Sequence, residues 1–460
     1  MTEGWTNKAR TALGEHVDIA WLGALRVLFG LAMCISMMRS IVYGWVDAFF
    51  VNPSFHFKYY GFGWLEPLPR LGMHAVFGGL ALLAILIALG VWFRLAAWLF
   101  AIGFAYLQLL DVTTYLNHYY LATLLSFLLA LSPADRWGSI KAWRNPGYAR
   151  EHVARMWQFL FRFQVGIVYT FAGLAKAHGD WLLHAQPLRI WLASQTDLPV
   201  LGGLFRIDGV PLAMSWAGFL FDTFIIWFLL WRRTRVFAYA AVLVFHAMTR
   251  TLFPAIGMFS AIMVMVALVF FPADWPRRLL SALGMGRTAG AAPAQTNVTR
   301  PVPRWAGMLV ASYCLLQITI PMRYLAYGDN VRWHEQGMRF SWRVMVREKN
   351  GSVTFEVLQK STGRSWLVFP RTYLTRYQEL EMSGQPDLVL QLAQHIQADY
   401  ARRGFGEVEV RADAIASLNG RRRQRLIDPK ADLTHIRDGF AKATWILPAP
   451  TEPPPHLKPI

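Results

Sequence analysis

The sequence predicts an all-α polytopic transmembrane bundle of about nine helices, followed by a smaller extramembrane α+β domain. Three observations predict it. Hydrophobic residues make up 55% of the 460 and charged residues only 16%, where a soluble domain carries about 25% charge. Apolar runs close to bilayer length recur from Ile19 to Ile320, and the texture changes after Met322. A soluble globular fold is excluded on composition alone.

The first fifteen residues, MTEGWTNKARTALGE, lack the apolar core of a signal peptide, so the first hydrophobic run is expected to remain as a span. Runs able to cross about 30 Å of hydrocarbon, or nearly so, are expected at Ile19–Met38, Met73–Phe93, Ala96–Leu110, Tyr119–Leu131, Trp157–Ala175, Met214–Trp231, Val236–Thr249, Ile256–Phe271 and Trp305–Ile320. With a cytoplasmic N-terminus, cations crowd the inside loops: Arg136, Lys141, Arg144, Arg150 and Arg155, then Arg232, Arg233 and Arg235, then Arg277, Arg278, Arg287, Arg300 and Arg304. The positive-inside rule therefore places everything after Ile320 on the periplasmic or luminal side of a membrane, expected to be a bacterial inner membrane. The net charge of +18 is ascribed to this orientation, and no nucleic-acid partner is expected. Cys34 and Cys314 both lie in apolar runs, so no disulfide framework is implied.

The division expected is a bundle over 1–322, an extracytoplasmic domain over 323–445 and a proline-rich tail over 446–460. The segment Gly286–Pro303, rich in Ala, Thr, Pro and Gly, reads as a flexible linker before the last span. From Phe340 to Phe369 polar and apolar residues alternate, with turn signals at Lys349-Asn350-Gly351 and Ser361-Thr362-Gly363, which predicts antiparallel strands. Asp387–Arg402 has helical spacing, and EVEVRADAI returns to a period of two.

Several polar residues stand where an apolar run should be uninterrupted. YTFAGLAKAHGDWL ends a span with Lys176, whose helical face is shared by Tyr169, Ala172 and Gly173. The small residues leave a notch in which a planar apolar ligand could meet the amine, and loss of water there would leave part of the amine uncharged and basic. A terminal lysine also commonly snorkels to the interface, and both readings stand at this point. Asp111, Asn117 and His118 in LLDVTTYLNHYYL, and His246 in VFHAMTRTLF, fall at the same outer leaflet. Singly such groups are usually satisfied core or helix-end residues; together they outline a polar pocket in an apolar bundle. Asp222 is a weaker candidate, read as pairing with a neighbouring helix. No metal is expected: His178 and His184 share a loop with Asp180 without a metal-ligand motif.

The blocks AGLAKAHGDWL, FHAMTRTLFPAIGMFS with FFPADWPRRLL behind it, LLDVTTYLNHYYL, SWRVMV and RRRQRLIDPKADL resemble the vitamin K-dependent γ-glutamyl carboxylases, whose membrane part is also called the HTTM domain. The resemblance implies a nine-helix bundle with a luminal extramembrane part. It implies an enzyme that uses reduced vitamin K, or menaquinol in a bacterial homologue, with O2 and CO2, and couples quinol epoxidation to carboxylation of glutamate. The partners it implies are membrane lipid, the quinol and a glutamate-containing protein or peptide. Lys176 matches the catalytic lysine that deprotonates the quinol, Asn117 and His118 the pair tied to quinol handling and carboxylation, and His246 the histidine of FHxM; Asp111 belongs to the block that carries the pair. Three features depart from the family: no counterpart is found for a further luminal histidine, near where Arg323 and Tyr324 stand; the disulfide of the animal enzymes has no counterpart, since Cys34 and Cys314 fall in the expected bundle; and no counterpart of the animal enzymes' long C-terminal region is found after the DPKADL block. A non-enzymatic HTTM protein that binds quinone or lipid is the competing class, and the Lys176, Asn117, His118 and His246 set favours the enzyme.

Overall fold

The computed structural model describes residues 2–285 and 300–456; most of the expected Gly286–Pro303 linker and the last four residues of the tail lie outside them. Thirteen helices frame the description: α1 Thr2–Gly14, α2 Ala20–Val42, α3 Arg70–Leu89, α4 Phe93–Leu110, α5 Asn117–Leu131, α6 Arg155–Lys176, α7 Val210–Leu230, α8 Arg235–Leu252, α9 Phe259–Ala267, α10 Trp275–Ala282, α11 Arg304–Met322, α12 Arg376–Ser383 and α13 Pro386–Arg402. Shorter helical turns connect them.

Each of the nine apolar runs falls on helix over most of its length, but the expectation of nine spans is not met by all of them. Among the described residues five helices are long and apolar enough to cross a membrane, α2, α3, α4, α7 and Arg304–Ala326. A sixth results if Phe259–Phe270 and Trp275–Ala282, bent by 100°, form one broken span. The shortfall has physical causes. Helix α5 has 15 residues and reaches only about 22 Å. Helices α6 and α8 are long enough but carry Arg162 and Lys176, and Arg235, His246 and Arg250, which lower their hydropathy. The polar side chains that make these helices interesting thus also hide them from a composition test.

One core joins α2 to α9 through Trp21, Phe29, Phe77, Phe100, Phe161 and Val242. At the end of the bundle away from Lys176, the buried Arg26 donates to the carbonyls of Ala134, Ile87 and Gly138 at 3.1, 2.7 and 2.7 Å. These carbonyls lie at or near helix C-termini, which a cation satisfies well. Helix α3 stops at Gly90, whose left-handed φ of 67° lets its N–H cap Ile87.

A second core belongs to the C-terminal region. Its antiparallel sheet has the order β4-β3-β5-β6, with β3 at Lys349–Gln359, β4 at Ser365–Val368, β5 at Val408–Leu418 and β6 at Gln424–Arg425. Alternation holds as expected: Val353, Phe355 and Val357 point inward against Val408, Val410, Ala412 and Ala414, with α13 packed on them. The turn at Ser361-Thr362-Gly363 joins β3 to β4.

The turn expected at Lys349-Asn350-Gly351 is corrected. These residues begin β3 and pair with Leu418, Ser417 and Ala416. Glycine serves there as a point of close approach, because a Cβ on Gly351 would stand 2.3 Å from the Ser383 carbonyl oxygen. The preceding stretch is not a strand either: Phe340, Trp342 and Met345 have φ of 60°, 57° and 52°. This left-handed backbone turns FSWRVMV back against the bundle, where Trp342 is fully buried and stacks on Tyr120 at 4.7 Å. A small two-stranded pairing, His16–Asp18 with His152–Ala154, was not foreseen.

Candidate functional site

Helix α6 starts at the cationic Arg155 and ends on Lys176, a favourable place for an amine beside the last carbonyls. Its Nζ donates to Ala172 O at 3.2 Å and lies 2.7 Å from Asp222 Oδ2 on α7. Both side chains are buried, at 6% and 8% exposure. Snorkelling is therefore excluded, and the amine does not stand alone. The acid that looked weak in the sequence is the lysine's direct partner, and a polar residue inside an apolar span is itself the signal that could have raised it.

What brings the two together is Gly173. It was expected to bind cofactor, but it faces α7: a Cβ there would meet Thr223 Oγ1 at 2.5 Å and Thr223 N at 2.9 Å. Glycine allows the helices to approach, and Asp222, one residue before Thr223, is thereby set against Lys176. Its role is to shape the site from behind.

Beside the pair is a cavity of about 90 Å3. Lys176, Asp222, Tyr169, His246 and Thr249 form its polar wall. Tyr169 Oη and His246 Nε2 are 3.0 Å apart, while the buried His246 Nδ1 has no partner. Whichever tautomer is present, one polar atom of this pair stays available to a ligand. Aromatic rings and four methionines, Met214, Met248, Met263 and Met345, make the rest of the wall. The roof comes from two places. Trp181 sits with its ring centroid 5.3 Å from Nζ, and the FSWRVMV segment brings Val344 O to 3.5 Å from it. The C-terminal region thus closes a site that begins in the bundle, a contribution invisible while that segment was read as strand.

The other expected residues stand apart from the cavity. His118 is buried behind Phe259, which lies 6.1 Å from His118 and 5.6 Å from His246 by ring centroids. Asn117 accepts a hydrogen bond from Tyr115 at 3.0 Å, and the Tyr115 oxygen accepts from Phe340 N at 2.8 Å. Asp111 does not face a ligand: its carboxylate takes Thr113 N and Oγ1, His56 Nδ1 and Gln378 Nε2 at 2.8, 2.7, 3.1 and 3.0 Å. Asp111 and Asn117 therefore brace the C-terminal region against the bundle. Proximity in sequence to His118 had suggested a shared task that the fold divides.

A ring-shaped quinol fits the chemistry of this wall: flat apolar surfaces, an orphaned imidazole nitrogen and an amine–carboxylate pair at one edge. The space is small beside the 300–1,000 Å3 of ordinary ligand sites, so admission of a bicyclic ring requires the methionine wall and the Val344–Met345 roof to repack. Among the described residues no cluster of three or more His, Cys, Asp or Glu is placed to hold a metal.

No solved structure matches the chain. Residues 15–275 match the HTTM domain, and residues 302–452 match the lumenal domain of vitamin K-dependent gamma-carboxylase. Lys176, Asp222 and His246 come from the first match and the Val344 roof from the second. A membrane bundle and a lumenal domain in this order, meeting over one buried lysine, show that the chain belongs to the vitamin K-dependent γ-carboxylase family.

Proposed function

We propose that this protein is an integral membrane quinol-dependent γ-glutamyl carboxylase, in a bacterial inner membrane with its N-terminus cytoplasmic and its C-terminal domain periplasmic. The observation that carries the reading is the Lys176–Asp222 pair opening onto an apolar cavity roofed by the lumenal segment. Reduced vitamin K or menaquinol, reacting with O2, would supply the strong base that a glutamyl γ-proton demands, and CO2 would then be added to the carbanion.

The chain's own residues have definite tasks in that scheme. Between amine and carboxylate a proton has two places to sit, and in a low-dielectric wall the neutral amine–acid pair competes with the ion pair. In the neutral pair Lys176 can thus accept a phenolic proton, and the ammonium so formed is balanced by the phenolate beside it while Asp222 stays protonated. Tyr169 and His246 would hold a ring oxygen at the far end of the polar wall. The apolar walls and the Val344–Met345 roof keep water from quenching a reactive base.

Purified protein incubated with reduced naphthoquinone, O2, labelled CO2 and a glutamate-bearing peptide tests the reading. Label in the peptide and epoxide formation are expected, both lost in Lys176→Ala. Equal turnover by that variant would sink the lysine-base mechanism, and quinone binding without turnover by the wild type would favour the non-enzymatic class.

A further inference from the structure

The loop that follows Lys176 is tied to the lumenal domain by a buried ionic clasp. Arg421, just beyond β5, donates from Nη1 and Nη2 to the two oxygens of Asp180 at 2.8 and 2.7 Å, and Asn419 Nδ2 adds a third bond at 2.7 Å. Exposure is only 9% for the Arg421 side chain and 10% for that of Asp180. Burial would raise the Asp180 pKa, but the Arg421 and Asn419 donors outweigh it and bring it down to about 2. The clasp is therefore intact at every physiological pH.

Asp180 is followed directly by Trp181, the residue over the Lys176 amine. Trp181 is pinned on its other side, with Nε1 donating to Ser215 O at 2.8 Å and its own carbonyl accepting from Ser215 Oγ at 2.6 Å. The ring is thus held between α7 and the lumenal domain, with the cation against its face. Two more ties from the same segment repeat the pattern: His178 Nδ1 meets the Arg332 guanidinium, and Trp191 Nε1 donates to Glu348 at 2.6 Å.

We infer that Arg421 is a positioning residue for the site: through Asp180 it seats Trp181 as the roof that keeps the Lys176 amine dry. This rests on the proposed function for its catalytic meaning, while the geometry it asserts can be read without turnover. The lumenal domain is then a structural part of the membrane-embedded site, since the bundle supplies Ser215 on one side of Trp181 but no partner for Asp180 on the other.

The test uses full-length protein in lipid nanodiscs, a water-soluble succinimidyl ester and mass spectrometry of the labelled lysines. In the wild type Lys176 and Lys349 are both expected to label slowly, the latter because its side chain is fully buried in the C-terminal region. Arg421→Gln is expected to speed labelling of Lys176 at least fivefold and leave Lys349 within twofold. Arg421→Lys should restore part of the protection, and kcat for quinol oxidation should follow Lys176 protection with KM for the glutamyl peptide little changed. Unaltered Lys176 labelling in Arg421→Gln, or an equal rise at Lys349, overturns the inference. Asp180→Asn supplies the same readout if Arg421→Gln does not accumulate. Absence of quinol turnover in the wild type would strike the proposed function and leave the labelling result standing.

Discussion

Two buried lysines in this molecule have nearly the same surroundings, and the proposed function gives them different uses. Lys176 in the bundle and Lys349 in the lumenal domain each lie 5.3 Å from a tryptophan ring centroid, Trp181 and Trp333, and each meets a buried carboxylate. Lys349 is sealed: its amine bonds to the Trp333 carbonyl and lies 3.3 Å from Glu335, which Arg347 also engages at 2.8 Å. Lys176 instead borders an open cavity with an unpartnered imidazole nitrogen close by. A buried charge pair alone therefore does not mark a site; unfilled space and an unspent hydrogen-bonding atom beside it do.

The sharpest way to break this comparison is to replace each lysine by methionine, which keeps the bulk and removes the charge. Lys176→Met should lower quinol-dependent carboxylation about 10²–10⁴-fold, the range of a lost general base, and should also lower Tm, because the buried Asp222 loses its amine partner. Lys349→Met should cost about 1–3 kcal/mol as Glu335 loses a donor, visible as a fall in Tm, but with turnover per folded molecule nearly kept. If both variants lose activity alike, the distinction between site and brace fails.

A smaller effect is expected from Gly173→Ala. The added methyl must push Thr223 away, at about 1–3 kcal/mol of overpacking, and should separate Asp222 from Lys176 enough to slow turnover about tenfold. Unchanged turnover despite a lower Tm would show that helix spacing does not tune the pair.

A further effect, on stability alone, is in its pH dependence. Burial lowers the Lys349 pKa to about 8, with Glu335 opposing the shift. The unfolded state then binds more protons between pH 8 and the ordinary lysine value, so this group's contribution makes stability rise with pH across that window, by on the order of 3 kcal/mol at most. Below pH 8 the lysine is charged in both states and its part of the slope vanishes. Thermal unfolding at pH 7.5 and 9.5 should show the rise in the wild type, and a smaller one in Lys349→Met.

The apolar runs, the strand alternation after β3 begins, the helix at Pro386–Arg402 and Lys176 as a charge standing out in an apolar run were all legible in the residues, because each depends on local period or on the cost of charge in an apolar helix. Tyr169 and His246 stood out for the same reason, and both line the cavity with Lys176. Asp222 was visible as an acid in a span, but its partner was not, since the contact depends on how closely α7 approaches Gly173. Asp111 and Asn117 were expected in the same pocket, whereas the fold sets them against the C-terminal region, away from the cavity beside Lys176. The roof was missed altogether: a period of two in FSWRVMV looks like strand, and only packing against Tyr120 and the bundle makes the left-handed backbone at Phe340, Trp342 and Met345 worthwhile.

The sequence by itself determined that the chain is a membrane protein, where its helices form and which lysine stands out, because hydropathy and periodicity are properties of short segments. Tertiary structure alone decided that this lysine is paired, that the pair faces a cavity and that a distant domain closes it. Those outcomes rest on distances between residues far apart in the chain, which no local pattern encodes.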